Sequence, residues 1–288
     1  MENAISALMD ARYGRRRLWN LAAFAGSALG AALVLGVLLF ILGYLWIHGA
    51  SAVNWDFFTK LPKPVGETGG GMANALVGSG KLLLLAGLSG LPIGIFTGIY
   101  LSEYGHNRFG DAVRFMTDIL NGVPSIVMGI FAYTLFVLPM KQFTALAGGA
   151  ALGIMMIPIA VRTTEEFLNL VPVSVREAAY ALGAPRWKTV LFVVIPTAFR
   201  GILTGILLDF ARVAGETAPL LFTAFGNRYW SRGWLEPTSS LPVMIYTYAI
   251  SPYEDWHRQA WAAGLVLLML VFIIGLLARL AVKKPLAV

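Results

Sequence analysis

The chain has 288 residues, of which 58% are hydrophobic and only 13% are charged. Charged residues make up about a quarter of an ordinary soluble domain, so this composition excludes a soluble globule and indicates a membrane protein. The formal net charge of +7 could suggest nucleic acid, but in a membrane protein such an excess usually marks cytoplasmic loops, and we expect no nucleic-acid partner. There is no cysteine, and the three histidines, His48, His106 and His257, are far apart, so we expect no metal site.

Six segments are predicted to span the lipid bilayer as helices. Crossing about 30 Å of hydrocarbon takes about 20 mostly apolar residues, and five stretches without Asp, Glu, Lys or Arg meet that length. A sixth stretch is equally apolar apart from Asp209, Arg212 and Glu216. The spans are expected at about 18–47, 76–102, 116–139, 142–162, 201–224 and 258–279. They follow a short N-terminal segment, 1–17, and form one transmembrane domain that covers 18–280.

The distribution of basic residues predicts the orientation of these spans. With six spans, fourteen Lys and Arg residues fall in the termini and in the loops on the same side, and six fall on the other side. Basic loops stay on the cytoplasmic side during insertion, so both termini and the long loop 163–200 are expected in the cytoplasm. The first apolar stretch is too long for the core of a signal peptide, so we expect it to be retained.

No motif in the chain predicts catalysis or nucleotide binding. Gly78-Ser79-Gly80-Lys81 resembles the end of a phosphate-binding P-loop, but Ala75 replaces its first glycine and Leu82 its hydroxyl residue. The sequence also contains no zinc-protease, hydrolase-nucleophile or zinc-ligand spacing. We therefore predict no catalytic residue in this chain, and expect the energy for its work to come from another protein.

The loop 163–200 carries the signals of a capped helix. Ser174 and Glu177 have the spacing of a capping box, in which each side chain accepts a hydrogen bond from a free backbone N–H group. A helix is expected to begin there and to end at Gly183, which readily takes the left-handed conformation that follows a helix. It presents a shallow surface of small side chains at Ala178, Ala179 and Ala181. These residues alone are compatible with either a plain connecting helix or a helix that docks on another protein.

The predicted fifth span contains three ionisable residues, and such residues inside a membrane indicate a functional site by default. Counted from Gly201, Arg212 lies about 17 Å along the helix, close to the middle of the bilayer. Glu216 and Asp209 fall within about 60° of Arg212 on the same face of the helix. The alternative is a cluster of salt bridges that only fixes this helix against its neighbours.

Arginine suits an oxyanion such as phosphate or sulfate, because its planar guanidinium donates two parallel hydrogen bonds and stays charged. The formal charge of Asp209, Arg212 and Glu216 together is −1, however, which opposes an anion. A protonated carboxyl, positive charge from a partner subunit, or release of Arg212 from Glu216 during function would each resolve this conflict. The sequence does not choose among them.

Two stretches of the chain resemble a known family. Residues 177–183 (EAAYALG) and 193–196 (VVIP) resemble the EAA signature of inner-membrane permeases in binding-protein-dependent ABC importers. Residues 211–224 resemble the phosphate permease subunits of the PstA type. Supporting stretches are 121–129, 158–165 and 241–252. The resemblance implies an all-α membrane protein with six transmembrane helices, the type I ABC importer permease fold (MetI-like) and both termini in the cytoplasm.

The resemblance also implies roles for individual residues. Arg212, Glu216 and Arg162 fall on matching motif positions and are expected to take part in a phosphate pathway, whereas the role of Asp209 stays open. Further pathway residues are expected in the third span at Asn121, Pro124 and Ser125, because the proline can free backbone groups that line a cavity. The alternative is that Pro124 only kinks the helix. Arg162 closes the fourth span on the cytoplasmic side, so a purely orienting anchor is its alternative role.

The resemblance finally implies a set of partners. These are inorganic phosphate, a paired permease of the PstC type, two ATPase subunits of the PstB type, an extracytoplasmic phosphate-binding protein of the PstS type, and the lipid bilayer of a bacterial inner membrane. ATP and Mg²⁺ are expected in the ATPase subunits, and no cofactor in this chain. The residues expected to couple to the ATPase are Ser174, Glu177, Ala178, Ala179 and Gly183. Two alternatives are an importer of another oxyanion, such as sulfate or molybdate, and a proton-coupled secondary carrier in which Glu216 takes the proton.

Overall fold

The structure is a computed structural model that describes the backbone of residues 2–282 and the side chains of Tyr13 and of residues 16–280. The side chains of four basic residues in the expected cytoplasmic termini lie outside these ranges: Arg12, Arg15, Lys283 and Lys284. The chain forms two units, one that ends at His48 and one that begins at Gly49.

The first unit is formed by helix α1, which covers the expected first span and runs from Glu2 to Gly49, so that its last residue already belongs to the second unit. Its apolar part has exposed side chains on all sides within this unit. A helix that is apolar around its whole circumference is suited to lipid or to neighbouring helices rather than to water. The unit therefore has the character of a long membrane-spanning helix.

The second unit contains helices α2 to α13. Among the residues described, helices are its main regular structure, and two isolated β-bridges are the exceptions. The helices are α2 (Trp55–Thr59), α3 (Ala73–Glu103), α4 (Arg108–Gly122), α5 (Ser125–Ala132), α6 (Leu138–Met140), α7 (Ala145–Asn169), α8 (Val173–Ala181), α9 (Arg186–Thr189), α10 (Ile195–Val213), α11 (Ala218–Thr223), α12 (Leu241–Ala249) and α13 (Glu254–Val282). A short 3-10 helix covers Ala50–Ala52, and π-helical segments, Tyr133–Val137 and Val190–Val194, join α5 to α6 and α9 to α10.

Five segments of the described chain are long and apolar enough to cross a membrane, and a sixth is added if α4 to α6 form one bent span. The five are Arg16–Ala52, Ala73–Glu103, Ala145–Asn169, Arg186–Val213 and Glu254–Leu280. The predicted all-α membrane class is therefore confirmed.

The third predicted span is broken rather than continuous. Helix α4 begins well before the expected start at residue 116, because the Asn107 side chain caps it by accepting a hydrogen bond from the Gly110 N–H (2.9 Å). The chain then bends by 102° between α4 and α5. Pro124 lies at this bend, where the missing N–H and the fixed φ of proline prevent a continuous helix. The structure thus shows a break where the sequence allowed a simple kink.

The fifth predicted span, 201–224, is not a single helix, and this prediction was wrong. The helical run is Arg186–Val213, and α11 forms separately after a short break. Gly215 weakens helix propensity, and Pro219 has no N–H to donate to a continuing helix. Arg212 therefore lies at the end of a long helix rather than in the middle of one.

Helices α3 and α7 approach each other so closely that glycine is required between them. A Cβ atom added to Gly94 would lie 2.5 Å from the Cβ of Ala160, and one added to Gly98 would lie 2.6 Å from the Cβ of Thr164. Gly90 meets the backbone of α7 in the same way. The spacing of four places the three glycines on one face of α3, so the two helices pack along their length without intervening side chains.

Helix α7 is the central helix of the second unit. In the most apolar stretch of 18 residues in α7, 67% of the residues are buried, whereas the same share is 33% in α3 and 22% in α13. It contacts α3, α4, α5, α10 and α11. The positions of α4, α5, α10 and α11 are consequently set by how each of them packs on α7.

We predict that Gly94→Ala destabilises the chain by about 1–3 kcal/mol, because the added methyl group overpacks the contact with Ala160. The measurement is denaturant unfolding of the purified chain in detergent micelles. Gly26→Ala in α1 is the matched control, since nothing lies within 4 Å of the position of its Cβ atom. Equal midpoints for the two variants would contradict the close approach of α3 and α7.

Candidate functional site

The chain is broken before α5 (the first break) and before α11 (the second break). Helices α5 and α11 pack on each other, and both breaks lie at the same end of this pair. A Cβ atom added to Gly129 of α5 would lie 2.6 Å from the Cα of Pro219 in α11. Where α11 ends, its Thr223 carbonyl accepts a hydrogen bond from the N–H of Thr144, shortly after α6 (3.1 Å). The two helices therefore run in the same direction, and irregular backbone from both chain segments is placed together at their N-terminal ends.

The first break contains the three predicted pathway residues of the third span. Asn121 lies in the last turn of α4, Pro124 is the residue before α5, and Ser125 begins α5. Asn121 and Pro124 are exposed, and Ser125 is half-buried. The first N–H groups of α5 have no partner inside the helix, as at every helix start, so this break presents polar backbone at a partly open surface.

The second break separates the three charged residues that the sequence placed on one helix face. Arg212 lies at the end of α10 and is exposed, whereas Asp209 lies one turn before it and is only 2% exposed. Glu216 lies beyond the end of α10, in the break itself. The prediction of a shared face was wrong because the helix ends at Val213.

These charges do not form the salt-bridge cluster that the sequence left open. Among the described residues, neither the Arg212 guanidinium nor the Glu216 carboxylate has a hydrogen bond or an ion pair. Both carboxylate oxygens of Asp209 are buried without a hydrogen-bond partner. Arg212 is consequently an unpaired donor fork at an open surface beside the second break.

Arg162 of α7 is paired with an acid that sequence reasoning did not single out. Its Nε donates to Oδ1 of Asp118 in α4 (3.0 Å), and its Nη1 lies 3.6 Å from Oε2 of Glu165. Asp118 is half-exposed and lies one turn before Asn121 on α4. The Arg162 ion pair therefore lies close to the first break, where it holds α4 against α7.

Arg162 and Arg212 lie at different levels of the bundle. Helices α7 and α10 are antiparallel, because Gly201 packs on Phe167 and Gly205 packs on Thr163. Arg162 is thus level with about residue 206 of α10, and Arg212 lies about 9 Å further along the helix axis. The structure gives the two arginines successive positions rather than one shared site.

Arg114 is a further charged residue that the sequence analysis missed. Its Nε donates to Oε1 of Glu165 (2.6 Å), its Nη2 to the Leu101 carbonyl (2.9 Å) and its Nη1 to the Gly105 carbonyl (3.0 Å). The spacing of Arg114 and Asp118 at i and i+4 was the available signal for a helix here. No group of three or more acidic or histidine side chains suited to a metal ion is found in the part of the chain described.

Helix α8 begins earlier than the sequence predicted. Its first residue is Val173, and the carbonyl of Pro172 accepts the first hydrogen bond from the Val175 N–H (3.1 Å). Ser174 is already inside the helix and no side chain caps it, so the predicted capping box of Ser174 and Glu177 was wrong. Proline starts the helix instead, because its fixed φ holds the preceding turn in place.

The end of α8 at Gly183 agrees with the prediction. Gly183 has a φ of +78°, its N–H donates to the Tyr180 carbonyl (2.9 Å), and the Ala184 N–H donates to the Ala179 carbonyl (3.2 Å). This pair of bonds is the Schellman motif, which fits glycine at the left-handed position. A sharp turn therefore separates α8 from α9.

The predicted docking surface of α8 is only partly exposed. Glu177 and Ala178 face outward, whereas Ala179 is 6% exposed and packs against the bundle. The outer surface is extended by exposed apolar side chains, above all by Leu182, which is 89% exposed. Exposed apolar residues that cluster around a short helix are typical of a protein interface.

Lys81, which the sequence placed in an incomplete P-loop, anchors the loop between α11 and α12. Its Nζ donates to the carbonyls of Gly233 (2.8 Å) and Ser231 (3.1 Å) and lies 5.3 Å from the centre of the Trp234 ring. In the same loop, hydrogen bonds from the backbone N–H groups around Gly233 lower the pKa of the Glu236 carboxyl. Lys81 is thus occupied by the loop and is not placed to bind a nucleotide.

The comparison with known proteins agrees with this architecture. Residues 90–285 match the family described as binding-protein-dependent transport system inner membrane component. The chain is 47% identical to the phosphate transport system permease protein PstA of Xylella fastidiosa, strain Temecula1, over 93% of each chain. It is 44% identical to PstA of Yersinia pestis over 88% of this chain and 89% of the relative.

The chain belongs to this inner-membrane transport family, in its PstA group. It is accordingly a multi-pass inner-membrane protein of the permease class. A solved structure of the methionine ABC transporter MetNI, in an inward-facing conformation, is similar to this chain with a TM-score of 0.57 and 19% identity, and covers 73% of this chain and 95% of the other. That likeness confirms the predicted MetI-like fold.

We predict that Arg114→Lys lowers the free energy of unfolding by about 1–3 kcal/mol, because a lysine keeps the charge but leaves two buried carbonyls without their donors. The measurement is again denaturant unfolding in micelles. Arg108→Lys on the same helix is the control, since Arg108 is exposed and has no side-chain bond among the described residues. Equal stability of the two variants would show that Arg114 does not join the ends of α3, α4 and α7.

Proposed function

We propose that this chain is a permease subunit of an ATP-driven importer of inorganic phosphate. The proposal rests on the identity of 44–47% to phosphate transport system permeases over about nine tenths of the chain. The MetI-like fold, which an ABC transporter of another substrate shares, is consistent with it. The chain itself carries no nucleotide motif, so separate ATPase subunits, with their ATP and Mg²⁺, supply the energy.

Arg212 is the principal phosphate contact of this chain. Its guanidinium is exposed and unpaired among the described residues, and it lies beside the break before α11. A planar donor fork in this state suits a tetrahedral oxyanion, because two parallel hydrogen bonds form at once. Arg162 lies about 9 Å from Arg212 along the bundle axis. The Arg162 guanidinium binds the anion when this guanidinium is released from Asp118. The two arginines provide successive contacts along one path.

A second permease of the PstC type completes the walls of this path. The surface around the first break is exposed and strongly apolar, at Ile119, Leu120, Ile126, Val127 and Ile130. Polar backbone at such a break is tolerated in a membrane only where protein or a water-filled cavity covers it. The partner also supplies positive charge, which offsets the formal charge of −1 on Asp209, Arg212 and Glu216.

The loop from α8 to α9 docks on a PstB-type ATPase. Glu177 and Ala178 on the outer face of α8, together with the exposed Leu182, form the contact surface, and the turn at Gly183 fixes the angle of the next helix. This loop lies in the cytoplasm together with both chain termini, in agreement with the excess of basic residues on that side. A PstS-type binding protein delivers phosphate from the opposite side.

The decisive experiment is reconstitution of the complex, purified through a tag on this chain, into proteoliposomes. Phosphate uptake is expected only when ATP is hydrolysed, because the chain has no energy source of its own. Uptake driven by a proton gradient without ATPase subunits would instead identify a secondary carrier. Competition by sulfate or molybdate at the concentration of phosphate would instead identify an importer of another oxyanion.

We predict that Arg212→Lys lowers the phosphate uptake rate by about tenfold or more, since a charge-assisted hydrogen bond contributes about 1.5–3 kcal/mol and lysine cannot donate two in parallel. Uptake is measured in the same proteoliposomes, and complex assembly by gel filtration. Arg200→Lys is the control, because Arg200 lies on the same helical run, Arg186–Val213, about 18 Å before Arg212. Unchanged uptake by Arg212→Lys would remove Arg212 from the pathway.

A further inference from the structure

The two short helices α8 and α9 are both fastened to the end of α3 at one residue, Glu103, α8 through the buried carboxylate and α9 through the backbone carbonyl. Glu103 is the last residue of α3 and is 3% exposed. It forms an ion pair with Arg176, which lies in the middle of α8 and is itself largely buried. A residue of the outer loop helix thus reaches into the bundle and pairs with the end of a long helix.

The same arginine also contacts the end of α7. Nη2 of Arg176 donates to the Leu168 carbonyl (2.7 Å), in the last turn of α7. The Ser102 hydroxyl donates to Oδ1 of Asn169 (2.7 Å) and so links the ends of α3 and α7 directly. One guanidinium therefore binds two helix ends that are already bonded to each other.

Helix α9, on the other side of the Gly183 turn, is held by the same short segment of α3. The Arg186 guanidinium donates to the carbonyl of Glu103 and lies 4.5 Å from the centre of the Tyr104 ring. Both helices of the loop are thus attached to residues 103 and 104. The sharp turn between them cannot open without breaking one of these attachments.

Stability alone does not account for such an arrangement. A buried ion pair loses about as much free energy on dehydration as it gains by attraction, and apolar side chains of the same volume would often stabilise as well. What the pair adds is direction, because the guanidinium fork fixes the orientation of α8 relative to two helix ends at once. The pair is therefore suited to transmitting movement rather than to adding stability.

We propose that Glu103 is the positioning residue that joins α8, through its carboxylate, and α9, through its backbone carbonyl, to the α3–α7 pair as one rigid body. A displacement of the loop then turns α3 and α7 as a unit, because the glycine contacts of Gly94 and Gly98 keep those helices from sliding past each other. The inference rests on the proposed docking of α8 on an ATPase. It adds which residue passes the movement to the membrane helices.

The first test is Glu103→Gln in the reconstituted complex, read as ATP hydrolysed per phosphate imported. We expect this ratio to rise by at least about fivefold, the lower end of typical coupling effects, while the complex still assembles and hydrolyses ATP. Glu166→Gln is the matched control. Glu166 lies near the end of α7, beside the end of α3 that carries Glu103, but it is exposed and has no side-chain bond among the described residues. An unchanged ratio for Glu103→Gln would overturn the role of Glu103.

The second test uses the absence of cysteine from the chain. In the Glu103→Cys/Arg176→Cys variant, a short bis-methanethiosulfonate reagent joins α3 to α8 and is removed again by a reducing agent. If the loop and α3 move as one body, cross-linking lowers the ratio of ATP hydrolysed to phosphate imported towards that of the complex without substitutions. Reduction of the cross-link then raises this ratio again. If the cross-link stops phosphate uptake and reduction restores it, the loop must slide on α3, and the proposal is wrong.

The unmodified complex in the same assay separates this inference from the proposed function. Failure of the unmodified complex to couple phosphate uptake to ATP hydrolysis would contradict the permease assignment itself. Normal coupling there, together with an unchanged ratio in Glu103→Gln, would contradict only the rigid connection.

Discussion

The close approach of α3 and α7 is the constraint on which the rest of the second unit depends. Helices in lipid gain little from burying apolar surface against each other, since lipid tails are equally apolar. They associate instead through dispersion and backbone contact, and both need small residues at the interface. Gly90, Gly94 and Gly98 meet this need on one face of α3. Because α7 is held in this way, it can support helices that are themselves interrupted.

The functional segments are irregular, and each is attached to this regular pair. Arg114 fastens α4 to the ends of α3 and α7, and Gly205 lets α10 pack closely on α7. The breaks before α5 and α11 thus lie on a scaffold of two long helices, α3 with 31 residues and α7 with 25, that run without interruption. Irregular backbone in a membrane protein is typical of substrate pathways, and a rigid support is what keeps it in position.

The sequence predicted what local rules control and missed what depends on tertiary contacts. The left-handed turn at Gly183 follows from glycine itself, and the all-α class follows from the length of the apolar stretches. The start of α4 was missed because spans were predicted from stretches without charged residues, and α4 contains Arg114 and Asp118. Partners on other helices neutralise these two charges, and the sequence does not show those pairings. The break after Val213 had a visible signal in Gly215 and Pro219, but the long apolar stretch concealed it. Glu103 gave no signal, because only the folded chain brings it to Arg176.

The 102° bend at Pro124 has a consequence for the life of the chain in the cell. Next to the bend, the last carbonyls of α4 and the first N–H groups of α5 lack partners within their own helices, and the surrounding surface is exposed and apolar. A bilayer does not tolerate such backbone facing lipid. A copy of the subunit made without the proposed paired permease would thus expose a defect that membrane quality-control proteases can recognise. In the proposed complex, this bend makes the abundance of the subunit depend on balanced synthesis of the paired permease.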